Sequence, residues 1–134
     1  MNLNKIIEKY ETTDEFVETL KQEVIKLGTE NSNFIYNPNN AGRCFYNGPA
    51  AKISVDGNKT IVGPECKGCI FGQALQNMGW TDEHELSDTV SLRAILHNRN
   101  IYSETGTLLS IVQCRQDSGN SWGASIRPLI KNQV

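Results

Sequence analysis

Long apolar runs are missing from this chain: nowhere in its 134 residues do more than a few hydrophobic side chains follow one another. No segment therefore reads as a membrane span. An excess of positive charge is missing too. Thirteen Lys and Arg face fifteen Asp and Glu, for a formal net charge of −2, and the basic residues are scattered. With neither a long-range positive field nor a local basic patch, direct nucleic-acid binding is not expected. Nor does a basic start lead into an apolar stretch. The opening "MNLNKIIEKYETTDEF" is amphipathic, which is not a secretory signal, so a cytoplasmic location is expected. In that compartment the four cysteines are expected as reduced thiols or metal ligands rather than disulfides.

Catalytic signatures are also lacking. There is no GxSxG elbow. The glycines at 63, 68 and 72 are not followed by the Gly-Lys-Ser/Thr of a phosphate loop and do not make GxGxxG. His84 and Glu85 begin as a zinc-protease helix would, but position 88 is Asp where a second imidazole is required. The acidic residues supply no separated buried pair of the glycosidase kind. Without a convergent acid, base and nucleophile, the reading leans away from an enzyme, and no cofactor is expected.

What the chain does have is periodic apolar patterning. Leu3, Ile6, Ile7 and Tyr10 recur at helical spacing. Thr12, with Glu15 three residues later, is a capping-box signature before the stripe Phe16, Leu20, Val24 and Leu27, with Gly28 as the expected stop. Residues 29–42 are turn formers around Phe34-Ile35-Tyr36, an apolar island expected to pin a loop to the core. Cys44 to Tyr46 and Ile53 to Val55 alternate with polar neighbours, and Asp56-Gly57 marks a tight turn. Short antiparallel strands are thus expected near 43–47, 51–55 and 59–62, lying against helices because a two-stranded hairpin alone is marginal.

Ile70, Phe71, Ala74, Leu75 and Met78 then share a helix face that ends at Gly79. Thr81 is expected to cap a following acidic turn. Val90, Leu92, Ile95 and Leu96 form the next helix, ending near Asn98–Asn100. Residues 105–118 form another, stopped by Gly119, and a short helix capped by Asn120 or Ser121 turns Trp122 and Ile126 inward. No repeat or linker divides the chain. The expectation is one α+β domain over 1–134, helix-dominated, with a small two- or three-stranded antiparallel sheet. Its parts are N-terminal helices at 1–28, the sheet at 43–62 and a helical region at 66–130.

Chemistry centres on three places. Cys66-Lys-Gly-Cys69 has zinc-knuckle spacing, and Cys44, Cys66, Cys69 and Cys114 would complete a four-thiolate site. Against this, no second close pair exists, and burial of Cys44, Cys69 and Cys114 as small apolar groups is the favoured reading. A redox dithiol would need a βαβ frame, which the pattern does not supply. The nearby glycines suit an anion-binding nest and a structural turn about equally. His97 lies near Arg93 on one helix, as a ligand contact or a solvated end. The third place is "VQCRQDSGNSWGASI", where Arg115, Asp117, Asn120 and Trp122 crowd a corner between helices. With Arg43, Tyr46 and Asn47 from the sheet they form the candidate ligand-binding set, planar cations and aromatics beside amides. The competing reading has Asp117 capping the next helix while the indole fills the core.

Three short patterns in this order, Cys44-x-Tyr46, then Gly68-Cys69-x-x-Gly72-x-Ala74-Leu75, then Gln116-Asp117-x-Gly119-x-x-Trp122-Gly123, resemble a group of small uncharacterised proteins of bacteriophages and some of their hosts. The likeness spans about residues 43 to 126; Cys66 and Lys67 lie outside its pattern, and it carries over no catalytic residue. It implies a non-catalytic binding protein in the host cytoplasm, one that inhibits a host protein or sequesters a small anionic, nucleotide-like signal. A protein inhibitor would present an apolar patch, self-complementary in a homo-oligomer. A small-molecule binder would bring Arg43, Tyr46, Arg115 and Trp122 into one pocket. The alternative is a zinc-binding adaptor or small hydrolase built on Cys66 and Cys69.

Overall fold

The structure, a computed structural model, describes residues 1–35, 52–55, 59–62, 69–82, 85–86 and 91–131. Helices supply its frame: α1 (Leu3–Glu8), α2 (Thr13–Glu30), α3 (Ile70–Asn77), α4 (Leu92–His97), α5 (Glu104–Asp117), α6 (Trp122–Ser125) and α7 (Arg127–Lys131). The capping chemistry foreseen for α2 is present. Thr12 Oγ1 accepts the Glu15 N–H at 3.1 Å, and Glu15 Oε2 accepts the Glu11 N–H at 3.2 Å. Phe16, Leu20, Val24 and Leu27 are buried along one face.

Gly28 does not stop this helix, which continues to Glu30. It is a close-approach residue instead. A Cβ there would lie 2.6 Å from Ile126 Cγ2, so the missing side chain lets Ile126 press onto α2.

The strands require the larger correction. β1 (Phe34–Ile35), β2 (Lys52–Val55) and β3 (Lys59–Val62) pair antiparallel in that order, with Phe34 opposite Ile53 and Ile53 opposite Ile61. The expected first strand at 43–47 lies outside the described residues; the place beside β2 is taken by two residues that the sequence pattern assigned to a loop. The wider expectation of an α+β domain is overturned. Among residues whose side chains are described, the core comes from the helices and from Cys69, Trp80, Ile101 and Ile126 at their ends. Helices pack on helices, α2 with α3, α5 and α6, and α5 with α4, α6 and α7. The strands form a short ribbon that meets this body at β1 against α6, where Ile35 makes an isolated bridge to Ser121 and the Phe34 ring lies 5.2 Å from the Trp122 ring. The fold is a helical body carrying a ribbon, not a sheet layer covered by helices.

Three helices end the same way. In α3, the Trp80 N–H bonds the Leu75 carbonyl at 2.9 Å and the Gly79 N–H bonds that of Gln76 at 3.0 Å, with Gly79 at φ +108°. After α4 the same pair of bonds runs from Ile101 to Leu96 and from Asn100 to His97, with Asn100 at φ +59°. After α5 it runs from Asn120 to Arg115 and from Gly119 to Gln116, with Gly119 at φ +97°. This is the Schellman closure, which turns the chain sharply while satisfying the last carbonyls. In the first two it also brings an apolar pair together, Trp80 with Leu75 and Ile101 with Leu96, all four buried. Among the described residues no helix is long and apolar enough to cross a membrane.

Candidate functional site

The corner after α5 was the expected site, and the structure gives most of its residues architectural tasks. Two glutamines one turn apart on α5 are buried, and each holds the start of another helix. Gln116 Oε1 accepts the Ile70 N–H of α3 at 2.8 Å and the Trp122 indole N–H at 3.0 Å. Gln113 Oε1 accepts the Leu92 N–H of α4 at 2.8 Å. The local caps cover only the third residue of each helix: Cys69 Sγ accepts from the Gly72 N–H at 3.4 Å and Ser91 Oγ from the Ala94 N–H at 3.2 Å. The first N–H of each helix is buried, so a remote amide oxygen has to replace water there.

Where they are described, the members of the expected ligand-binding set are each hydrogen-bonded within the fold. Trp122 is fully buried with its one donor occupied, in the core rather than on a stacking surface. Arg115 is exposed and reaches the Ala124 carbonyl at 3.5 Å. The Asn120 amide donates to the Arg115 carbonyl at 2.9 Å, reinforcing the helix end. Asp117 does not cap α6; Ser121 does, accepting the Ala124 N–H at 3.2 Å. Burial pushes the Asp117 carboxyl up to about 6 from its ordinary 3.8, and a hydrogen bond from Gln116 Nε2 at 3.2 Å pulls the other way. Arg43, Tyr46 and Asn47 lie outside the described residues.

Two cysteine expectations are corrected. Cys114 is an exposed free thiol, not a buried packing group. Cys69 is fully buried as expected, but it is disulfide-bonded, not reduced. A disulfide sulfur is not the thiolate that zinc requires. Cys44 and Cys66 lie outside the described residues.

Glu85, read beside His84 as a failed protease motif, has a structural role. Its Oε1 accepts the Leu3 N–H at 2.7 Å and the Trp80 indole N–H at 3.0 Å, while Oε2 lies 3.9 Å from Arg99. Arg99 Nε in turn donates to Asn4 Oδ1 at 2.9 Å, and the Met1 amine donates to Thr81 Oγ1. Thr81, expected to cap an acidic turn, and Glu85 thus together clasp the first residues of the chain and the start of α1.

A concave site among the described residues lies elsewhere, between α4 and α5. On α4, Arg93, Leu96 and His97 fall at i, i+3 and i+4, on one face. The Schellman closure at Asn100 then reverses the chain and sets Tyr102 beside His97, ring centroids 4.6 Å apart at a 39° tilt. Ser103 caps α5, its Oγ taking the Gly106 N–H at 3.0 Å. Gly106 keeps the floor low: a Cβ there would approach Leu96 Cδ1 to 3.2 Å. The result is a cleft of about 360 Å³, with Leu96 and Ile101 as apolar floor and Arg93, His97, Tyr102, Ser103, Glu104 and Thr107 around the mouth. Tyr102 is 68% exposed, so its ring is free on one side. Arg93 and His97 already stood out in the sequence; Tyr102 did not, because nothing in its neighbours announces that a left-handed Asn will fold it back.

Compared with protein families, curated proteins and solved structures, the chain matches none.

Proposed function

We propose that the protein is a non-catalytic binding protein whose ligand is a small, planar, anionic molecule of the nucleotide kind, held in the cleft between α4 and α5. The observation that carries this reading is the cleft itself: an apolar floor, a half-free aromatic pair and a guanidinium facing one space of about 360 Å³. Each part suits one part of a nucleotide. A base stacks on the Tyr102 ring, which gives affinity without strict sequence of base identity. Arg93 offers a fork to phosphate oxygens. Ser103, Thr107 and the Glu104 carboxylate offer hydrogen bonds to sugar hydroxyls or exocyclic amines. The resemblance to phage proteins gives this a setting, the sequestration of a host signal.

The test is a titration of the protein with adenosine 5′-monophosphate, followed by amide NMR. Shifts should centre on Gly106, Thr107 and His97, and Arg93→Ala and Tyr102→Ala should each weaken binding by roughly tenfold. An absence of shifts at millimolar ligand, or shifts untouched by both substitutions, removes the reading.

A further inference from the structure

Beside the cleft lies a second hollow, of about 580 Å³, lined by Lys21 of α2 and by Glu104, Thr105, Thr107 and Leu108 of α5. Glu104 and Thr107 line both hollows. The two are therefore neighbours across the first turn of α5, with those side chains as the ridge between them. Charge alternates along this path: Arg93 on α4, the Glu104 carboxylate on the ridge, Lys21 on α2. Lys21 is held on the wall by an ion pair with Glu18 at 3.6 Å, and its side chain is 14% exposed while that of Glu18 is 52% exposed. The lysine stem is thus largely covered, but one carboxylate contact at 3.6 Å uses only part of an ammonium with three donors, which leaves capacity for a second anion.

We propose that the two hollows form one elongated site and that its occupant is a linear dinucleotide rather than a mononucleotide. This rests on the reading of the α4–α5 cleft given above and deepens it. The ridge selects the occupant. An anionic group placed over Glu104 would be repelled, whereas a sugar hydroxyl or an amine there finds a carboxylate and a threonine hydroxyl to bond. In a 5′-phosphorylated linear dinucleotide the terminal phosphate then lies at Arg93 and the internucleotide phosphate at Lys21, with the first sugar over the ridge between them and the second nucleoside in the second hollow. The size of the second hollow agrees: at about 580 Å³ it has room for a second nucleoside, and each hollow falls within the range of small-molecule sites.

The experiment is isothermal titration of the intact protein with 5′-phosphorylated linear diadenylate and, separately, with adenosine 5′-monophosphate, for the parent chain, Lys21→Ala and Arg93→Ala. The dinucleotide should bind at least roughly fivefold tighter than the mononucleotide. Lys21→Ala should erase that advantage while leaving mononucleotide binding unchanged; Arg93→Ala should weaken both ligands. Equal affinity for the two, or a dinucleotide advantage that survives Lys21→Ala, overturns the elongated site and leaves the single cleft standing. Failure of both ligands to bind removes the cleft reading itself, and this proposal with it.

Discussion

Replacing Gln116 with leucine isolates the strongest energetic claim made by the fold. Leucine nearly matches the glutamine in volume, so no large cavity opens. What disappears is one buried amide: its oxygen serves two donors, the Ile70 N–H at 2.8 Å and the Trp122 indole N–H at 3.0 Å, and its nitrogen donates to the half-buried Asp117 at 3.2 Å. Each buried donor left without a partner costs about 1–3 kcal/mol, so the variant should lose about 2–6 kcal/mol. A domain has only about 5–15 kcal/mol to lose. At roughly 4 °C per kcal/mol for a chain of this length, the thermal midpoint should fall by at least roughly 8 °C. Urea unfolding followed by far-ultraviolet circular dichroism measures this, and the slope should stay unchanged because the exposed area does not alter. The control is the double variant Gln116→Leu/Trp122→Phe. It deletes the indole donor along with its acceptor, so its cost should fall short of the two single costs added together, by about 1–2 kcal/mol. A Gln116→Leu loss below about 1 kcal/mol would show that water or a rearranged side chain reaches these groups, and the remote-cap argument would fail.

Glu85→Ala should cost about 1–3 kcal/mol by freeing the Leu3 and Trp80 donors, and should shift tryptophan emission to the red as Trp80 gains water. Gly28→Ala and Gly123→Ala should differ: at 28 the clash is with the Ile126 side chain, Cγ2 nearest at 2.6 Å, and Ile126→Ala, which removes every clashing atom, should recover part of the loss, whereas at 123 a Cβ would meet Ser32 Cβ at 2.8 Å and Ser32 Cα and O at 3.1 Å, so denaturation should show the larger loss, with no side-chain rescue. Asp117 should run against the usual carboxylate trend. Its folded value of about 6 lies above the ordinary 3.8, so between those pH values the folded chain holds more protons than the unfolded one and stability falls as pH rises. Asp117→Asn should abolish that slope and stabilise the protein at pH 7; unchanged pH profiles of the two chains would contradict it.

Local signals in the sequence located most helices. The Phe16–Leu20–Val24–Leu27 stripe and the Thr12 cap mark α2 because both act within a few residues of themselves. Gly79 and Gly119 were legible as stops for the same reason, each taking the left-handed turn that glycine permits. Gly28 carried the same local signature and ended nothing, since its reason for being glycine is Ile126, about a hundred positions away. Phe34 and Ile35 looked like loop because two residues are too few to show an alternation, and their strand identity comes from pairing with β2. The corner around Trp122 looked like a binding site for an instructive reason. Buried amides and an indole are chosen for the same hydrogen-bonding capacity whether the partner is a ligand or a distant helix end. Only the partner decides, and Ile70 and Leu92 lie 46 and 21 residues away from the glutamines that hold them. The cleft was half visible, as Arg93 and His97 on one helix face; its aromatic wall needed the reversal at Asn100.

The two remote caps also set an order of events for a chain emerging from the ribosome. While the C-terminal third is still being made, α3 and α4 are short and lack the acceptor for their first N–H, and helices of that length do not persist in water by themselves. They become durable only when α5 arrives carrying Gln113 and Gln116. Assembly of the body therefore waits on a late segment, and a nascent chain cut short before residue 113 should be recognised by the cell as unfinished.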